Sequence, residues 1–233
     1  MKLLVINPVG HATWDEQDAR LYESFVPSAS EVKVVSLAKG PASVETPQAH
    51  RTVVPLVIEK AKELNKGFEA VAVNCFLDPG VDRLKKILPK AVVGPCEASL
   101  GMASVVGSRI GVITVHGKAL AMIQARIRKL ESKRGAIQVV GVPLGVLDLN
   151  EDLNRTRENV VAAAKKLIGK HHIDTICLGC TGLGGLARDA QEALKIPVID
   201  PVGATVHAAF AATSLKLFQF NSNEVLPAQT PLG

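Results

Sequence analysis

The stretches 72-AVNCFLDPGVDRLKKIL-88 and 177-CLGCTGLGGLARDAQEAL-194 decide how this chain is read. Laid one over the other, they place Cys75 on Cys180, an offset of 105 residues. Each cysteine closes an apolar run. Each is followed by a short loop and a helical pattern carrying an arginine, Arg83 or Arg188. The match extends outward. Upstream, 5-VINPVG-10 pairs with 112-VITVHG-117 at an offset of 107, and downstream 92-VVGP-95 pairs with 198-VIDP-201 at an offset of 106. Isolated Val/Ile runs are common in proteins, but three pairings in one order describe two homologous halves.

The rest of the chain fits that plan. Apolar runs recur at 2-KLLVIN-7, 31-EVKVVSL-37, 70-AVAVNC-75, 91-AVVG-94, 109-RIGVIT-114, 137-IQVVGV-142, 173-IDTICLG-179 and 196-IPVID-200. Most are nearly continuous in apolar character, as strands of a parallel sheet buried on both faces should be. Longer segments with apolar residues at helical spacing lie between them, such as 51-RTVVPLVIEKAKELNK-66 and 153-LNRTRENVVAAAKKLIGK-170. Strand–helix–strand alternation predicts parallel sheets with right-handed crossovers. The expected fold is α/β, with two pseudo-symmetric lobes, each a short parallel sheet flanked by helices, and a site in the cleft between them. The first lobe is assigned to 1–98 plus a returning C-terminal helix in 207–233, and the second to 99–206. The polar tail 221-NSNEVLPAQTPLG-233 is expected to fray.

Composition narrows the function. The chain has 233 residues, 47% of them hydrophobic, enough for a sizeable core. No run approaches the roughly 18 apolar residues of a membrane span. The opening MKLLVINPVG meets Asn7 and Pro8 at once and reads as a strand rather than a signal peptide. Four cysteines are too few for a disulfide scaffold and are expected to be free thiols in a reducing cytoplasm. The net charge of +5 is spread along helical stretches, and the densest basic run, 126-RIRKLESKR-134, holds no aromatic residue. With aromatics at 3%, stacking platforms for bases are scarce, so the expected partner is a small molecule, not a nucleic acid.

Ligands of open parallel sheets bind beyond the carboxyl ends of the strands. Asn7, Cys75, Thr114 and Cys180 all stand at such ends, and two facing halves would bring them to one cleft. Two facing thiols suit proton transfer at a carbon next to a carbonyl, since inversion needs a base on one face and an acid on the other. A free thiol, with a pKa near about 8.5, can hold or release a proton near neutrality. Backbone N–H groups in the loops after Cys75 and Cys180 are expected to cradle a carboxylate or enolate oxygen. The C-x-x-C spacing of Cys177 and Cys180 also suits a dithiol or half a zinc site, but no second C-x-x-C or spaced His pair completes one. Cys177, three residues before Cys180 on the strand, faces the other way and is expected in the core. Cys96 pairs with Val202 in the repeat and reads as a small apolar filler.

The motifs 6-INP-8, 40-GPASVE-45, 74-NCFLDPGV-81, 93-VGPCEA-98 and 177-CLGCTGL-183 resemble the Asp/Glu racemase superfamily, and within it the hydantoin racemase branch. The resemblance runs over nearly the whole chain. It implies a cofactor-independent racemase of 5-substituted hydantoins, often a homo-oligomer, with Cys75 and Cys180 as the acid/base pair. It further implies pocket roles for Asn7, Asn74, Phe76, Thr114, Thr181 and Gly182. Allantoin racemase, aspartate or glutamate racemase and maleate isomerase are alternatives within the superfamily. A binding protein without catalysis is the alternative outside it. Glu45 reads either as a cap for a helix starting at 46-TPQAH-50 or as a cleft residue. His116 and His207 read as helix caps or pocket edges. His11, Trp14 and Tyr22 are candidates for shaping the space around a ring substituent. The 8-PVGHATW-14 loop departs from the family pattern, in which a polar stretch follows the proline.

Overall fold

The structure, a computed structural model, describes residues 1–130 and 137–218. The end of the basic run at 131–134, the 221–233 tail and the part of the returning C-terminal segment beyond 218 lie outside the described residues. The chain order is β1 (Lys2–Asn7), α1 (Asp15–Glu23), β2 (Glu31–Ser36), α2 (Pro47–Leu64), β3 (Ala70–Val73), α3 (Val81–Ile87), β4 (Ala91–Val93) and α4 (Pro95–Val106). The same order then repeats: β5 (Ile110–Thr114), α5 (Lys118–Leu130), β6 (Gln138–Gly141), α6 (Leu153–His171), β7 (Thr175–Leu178), α7 (Ala187–Leu194), β8 (Val198–Ile199) and α8 (Pro201–Ser214). A single 3₁₀ turn, Thr181–Leu183, precedes α7.

The strands form two four-stranded sheets, ordered β2-β1-β3-β4 and β6-β5-β7-β8. All pairings are parallel. Adding four to each label of the first order gives the second, so the repeat in sequence is a repeat in topology. Each of the eight apolar runs contains a strand. The central strands β3, β5 and β7 are buried along their whole length, as their unbroken apolar sequences require. The edge strand β2 alternates Val with Glu31 and Lys33 and is partly exposed.

Helix starts follow local chemistry. Thr46 accepts a hydrogen bond from the Ala49 N–H and is followed by Pro47, so α2 begins there. Asp152 caps α6 through Arg155 N–H, and Asp200 caps α8 through the Val202 and Gly203 N–H groups. His207 therefore lies well inside α8 and cannot cap it; it is solvent-exposed. Glu45 does not cap α2, because Thr46 fills that role.

The last helix of each half crosses over. Helix α4 packs on β7 and β8, α8 packs on β3 and β4, and the two helices pack on each other. One apolar cluster accordingly draws on both halves, from Leu4, Val73, Phe76 and Leu77 to Val112, Ile123 and Cys177. Cys177 and Cys96 are fully buried within it, as a core thiol and an apolar filler should be. No helix among the described residues is long and apolar enough to cross a membrane.

Candidate active site

The carboxyl ends of β1, β3, β5 and β7 open onto one cavity of about 100 Å³. Asn7, Asn74, Cys75, Phe76, Thr114, Cys180, Thr181 and Gly182 all line it. The sequence repeat thus brings its matched cysteines to one space, with Cys75 partly buried and Cys180 buried. Thr181 donates its hydroxyl hydrogen to the Asn74 carbonyl at 3.3 Å, which joins the residues flanking the two thiols. The Thr114 hydroxyl donates to the Gly179 carbonyl at 2.7 Å, just before Cys180. A Cβ on Gly182 would lie 3.7 Å from Cys180 Sγ and 2.9 Å from a Leu149 methyl, so the loop has no room for a side chain there.

Burial pushes the Cys75 thiol up to about 12, with the nearby Cys180 and Asp78 charges adding to the rise. Burial pushes Cys180 up to about 11, helped by Glu45 and Asp18. The backbone N–H of Leu77 opposes the rise at Cys75, and those of Gly182 and Leu183 oppose it at Cys180. These loop N–H groups, expected from sequence to hold an enolate oxygen, therefore act on the sulfurs. They favour a thiolate once one forms.

The two asparagines are held in a buried network. Asn7 Nδ2 donates to Asp15 Oδ1 at 2.8 Å and to Asp18 Oδ2 at 2.9 Å. Asn74 Nδ2 donates to Asn7 Oδ1 at 2.7 Å and to Asp18 Oδ2 at 3.1 Å. Tyr22 donates its hydroxyl hydrogen to Asn74 Oδ1 at 3.1 Å from a fully buried position. Tyr22 thus supports the wall from behind and does not line the cavity. Desolvation pushes Asp18 up to about 6, while its bonds from Asn7 and Asn74 pull it down. Sequence reasoning passed over Asp18, which sits on α1 among charged residues that look like a solvated helix face.

The 8–14 loop contributes Pro8, Val9 and Trp14 to the lining. His11 stacks edge-on against Trp14, ring centroids 4.6 Å apart, and its Nε2 lies 3.0 Å from the Ala42 carbonyl oxygen. His116 is exposed, two residues before α5, and does not line the cavity. Glu45 accepts from Ser43 Oγ at 2.5 Å and, 101 residues away, from Val146 N–H at 2.9 Å. It ties the segment after β2 to the loop before α6, whose Val146 and Asn150 also line the cavity.

A second braced feature stands behind each thiol. Asp78, in the loop after Cys75, accepts from Cys96 N–H at 3.0 Å and Glu97 N–H at 3.2 Å, capping α4. It also pairs with Arg126 of α5 at 3.0 Å. A Cβ on Gly94 would lie 2.3 Å from Asp78 Oδ1, so the cap position itself must stay bare. In the second half the carboxylate comes from the other side: Asp200, at the α8 cap, accepts from Gly185 N–H of the loop after Cys180 at 2.6 Å.

The cavity wall is lopsided in character. Val44, Phe76, Leu77, Val115, Ala119, Ile123 and Val146 make much of it apolar; its polar side chains, besides the cysteines, are Asn7, Gln17, Asp18, Ser43, Asn74, Thr114, Asn150 and Thr181. Among the described residues, no Lys, Arg or His lines it, and Asp18 is its one ionisable group besides the cysteines. No group of three or more His, Cys, Asp or Glu among the described residues has the arrangement of a metal site.

Comparison with known proteins agrees with this architecture. The family model described as Asp/Glu/hydantoin racemase matches residues 3–209. The hydantoin racemase of Pseudomonas sp. (strain NS671) is 30% identical over 93% of this chain and 87% of its own. That of Paenarthrobacter aurescens is 29% identical over 92% of each chain. The crystal structure of allantoin racemase from Pseudomonas fluorescens superposes with a TM-score of 0.87 at 25% identity, covering 94% of each chain. The chain belongs to the Asp/Glu/hydantoin racemase family and is an isomerase of the racemase type.

Proposed function

We propose that this protein racemises 5-substituted hydantoins without a cofactor, passing the C5 proton between Cys75 and Cys180. The observation that carries this reading is the cavity's charge. Two thiols from opposite halves share it, and its one other ionisable group is an acid, Asp18. Aspartate, glutamate or maleate would bring two carboxylates into a space with no cationic side chain among the described residues, at a large desolvation cost. A hydantoin ring is neutral and offers amide N–H and carbonyl groups. The apolar wall of Val44, Phe76, Leu77, Val115, Ile123 and Val146 favours an apolar 5-substituent. Similarity to hydantoin racemases over most of the chain supports the same substrate class.

In the forward direction one cysteine, as thiolate, takes the C5 proton, breaking the C–H bond and forming S–H. The electron pair left at C5 spreads onto the C4 carbonyl oxygen. The opposite thiol then gives its proton to the other face of C5 and becomes the thiolate. The enzyme ends with its proton on the other sulfur, ready for the opposite enantiomer. Burial opposes both thiolates, and the Leu77 N–H at Cys75 and the Gly182 N–H at Cys180 stabilise the single thiolate with which each turnover begins.

Allantoin is itself a hydantoin, and the superposition on allantoin racemase makes it the second reading. The decisive measurement is decay of optical rotation with 5-alkylhydantoins, 5-benzylhydantoin, allantoin, aspartate and glutamate. Racemisation of the amino acids with no activity on any hydantoin overturns the reading. Cys75→Ser and Cys180→Ser are each expected to abolish racemisation. Full activity in both variants would overturn the two-thiol mechanism.

A further inference from the structure

We infer that Asp18 is the residue that binds the substrate's ring, accepting a hydrogen bond from a hydantoin N–H and setting selectivity for neutral N–H donors over anions. The inference rests on the hydantoin reading above and names the group that recognises the ring.

The argument starts from the donors. Asn7 and Asn74 look like substrate ligands, yet the two hydrogens of each Nδ2 are committed within the protein, to Asp15, Asn7 and Asp18. The hydroxyl hydrogens of Tyr22, Thr114 and Thr181 are likewise bonded to protein oxygens. This part of the wall therefore has little left to donate. Instead it holds a carboxylate. Both asparagines converge on Asp18 Oδ2, at 2.9 and 3.1 Å, and fix the group against the cavity it lines. No protein hydrogen bond reaches Asp18 Oδ1 among the described residues. A positioned acceptor with a free oxygen calls for a donor from the ligand. Hydantoins carry two ring N–H groups, whereas an amino-acid or dicarboxylate anion would bring like charge to Asp18.

The partners also dictate what a substitution does. In Asp18→Asn the side-chain oxygen stays with Asn7 and Asn74, so the amide NH₂ turns to the cavity. The acceptor becomes a donor with almost no change in shape.

The test pairs this variant with N-methylated substrates. A 5-alkylhydantoin and its N1-methyl and N3-methyl derivatives are assayed on wild type and Asp18→Asn. In wild type, one of the two methylations should lower kcat/KM by about 10–100-fold, the range for a hydrogen bond to a charged group. Asp18→Asn should lose about as much on the parent hydantoin and show little further loss on methylation. Equal methylation penalties in both proteins, or wild-type kcat/KM in Asp18→Asn, would overturn the inference. Calorimetric titration of the same ligands into Cys75→Ser/Cys180→Ser, with and without Asp18→Asn, separates this from the reaction itself. Binding that weakens with Asp18→Asn upholds the inference even where no hydantoin is racemised, and binding indifferent to residue 18 sinks it even where racemisation is fast.

Discussion

Removing either partner of the Asp78–Arg126 pair should destabilise the fold by about 3 kcal/mol. The Asp78 side chain has no exposure and that of Arg126 only 9%, so neither partner can turn to water if the other is removed. Asp78→Ala leaves the Cys96 and Glu97 N–H groups of α4 and a largely buried guanidinium without their acceptor. Stranding one member of a buried pair costs about 3–5 kcal/mol. Arg126 keeps Asp82 at 3.0 Å, on a partly exposed carboxylate, which puts the expected loss near the lower end, about 3 kcal/mol. In a chain of this size each kcal/mol moves Tm by about 2–4 °C, so a fall of about 6–12 °C is expected by circular dichroism or calorimetry. Arg126→Met should cost a similar amount, because it leaves Asp78 buried with only two N–H partners. The double variant Asp78→Ala/Arg126→Met should lose less than the sum of the singles, with a coupling of about 2 kcal/mol. A loss below about 1 kcal/mol in either single variant, or additive singles, would refute the reasoning. Since Asp78 anchors the loop after Cys75, and α5 lends Ala119 and Ile123 to the cavity, kcat should fall in the same variants.

Other expectations follow from the same geometry. Asp18 is raised to about 6 in the fold from an ordinary 3.8, so its contribution to stability is full below pH 3.8 and is lost as pH rises through about 6. Asp15 on the same helix, Tyr22 and Cys180 are the titratable groups facing it, and burial pushes Tyr22 and Cys180 up, away from this pH range. Asp18→Asn should therefore be more stable than wild type at pH 7.5, by about 2–3 kcal/mol in denaturant titrations, and level with it near pH 4. A variant that is less stable at pH 7.5 would count against that burial cost. Burial pushes the Cys75 and Cys180 thiols up to about 12 and about 11, so their iodoacetamide labelling should keep rising from pH 7 to 10; a plateau near pH 8.5 would contradict the burial argument. Cys177→Ala should cost stability by about 1–2 kcal/mol but keep racemisation, since Cys177 is packed in the core; loss of activity with an intact fold would revive the C-x-x-C reading. Glu45→Gln should weaken the tie to Val146 and speed amide exchange there, and unchanged protection at Val146 would show that the bond contributes nothing.

Most of the architecture was legible because it depends on local composition. Val/Ile runs mark the strands, and the Thr46-Pro47 pair marks a helix start. That Cys75 and Cys180 come to one cavity was legible because repetition converts a long-range proximity into an alignment within one sequence. What escaped is non-local and unrepeated. Asp18 lies on a charged helix whose polar residues look alike until tertiary contacts single one out. Glu45 finds its partner 101 residues away, in a loop with no motif, and so read as either a cap or a cleft residue. His207 was read as a helix start because the Asp-Pro signal six residues earlier was passed over. The donor state of Asn7 and Asn74 is also invisible in sequence, since it depends on which of their neighbours face inward.

The carboxylate that secures each thiol-bearing loop has changed sides between the halves: Asp78 reaches from loop to helix cap, Asp200 from helix cap to loop. Each joint then holds one carboxylate, and the first has no room for a second. An aspartate at 94 would collide with Asp78, and a joint with neither acid would leave buried N–H groups without an acceptor. Moving the acid across a joint thus passes through a sequence with two acids or none, both unstable. The two arrangements are separated by a barrier in sequence space, and relatives are expected to change these positions in pairs, seldom singly.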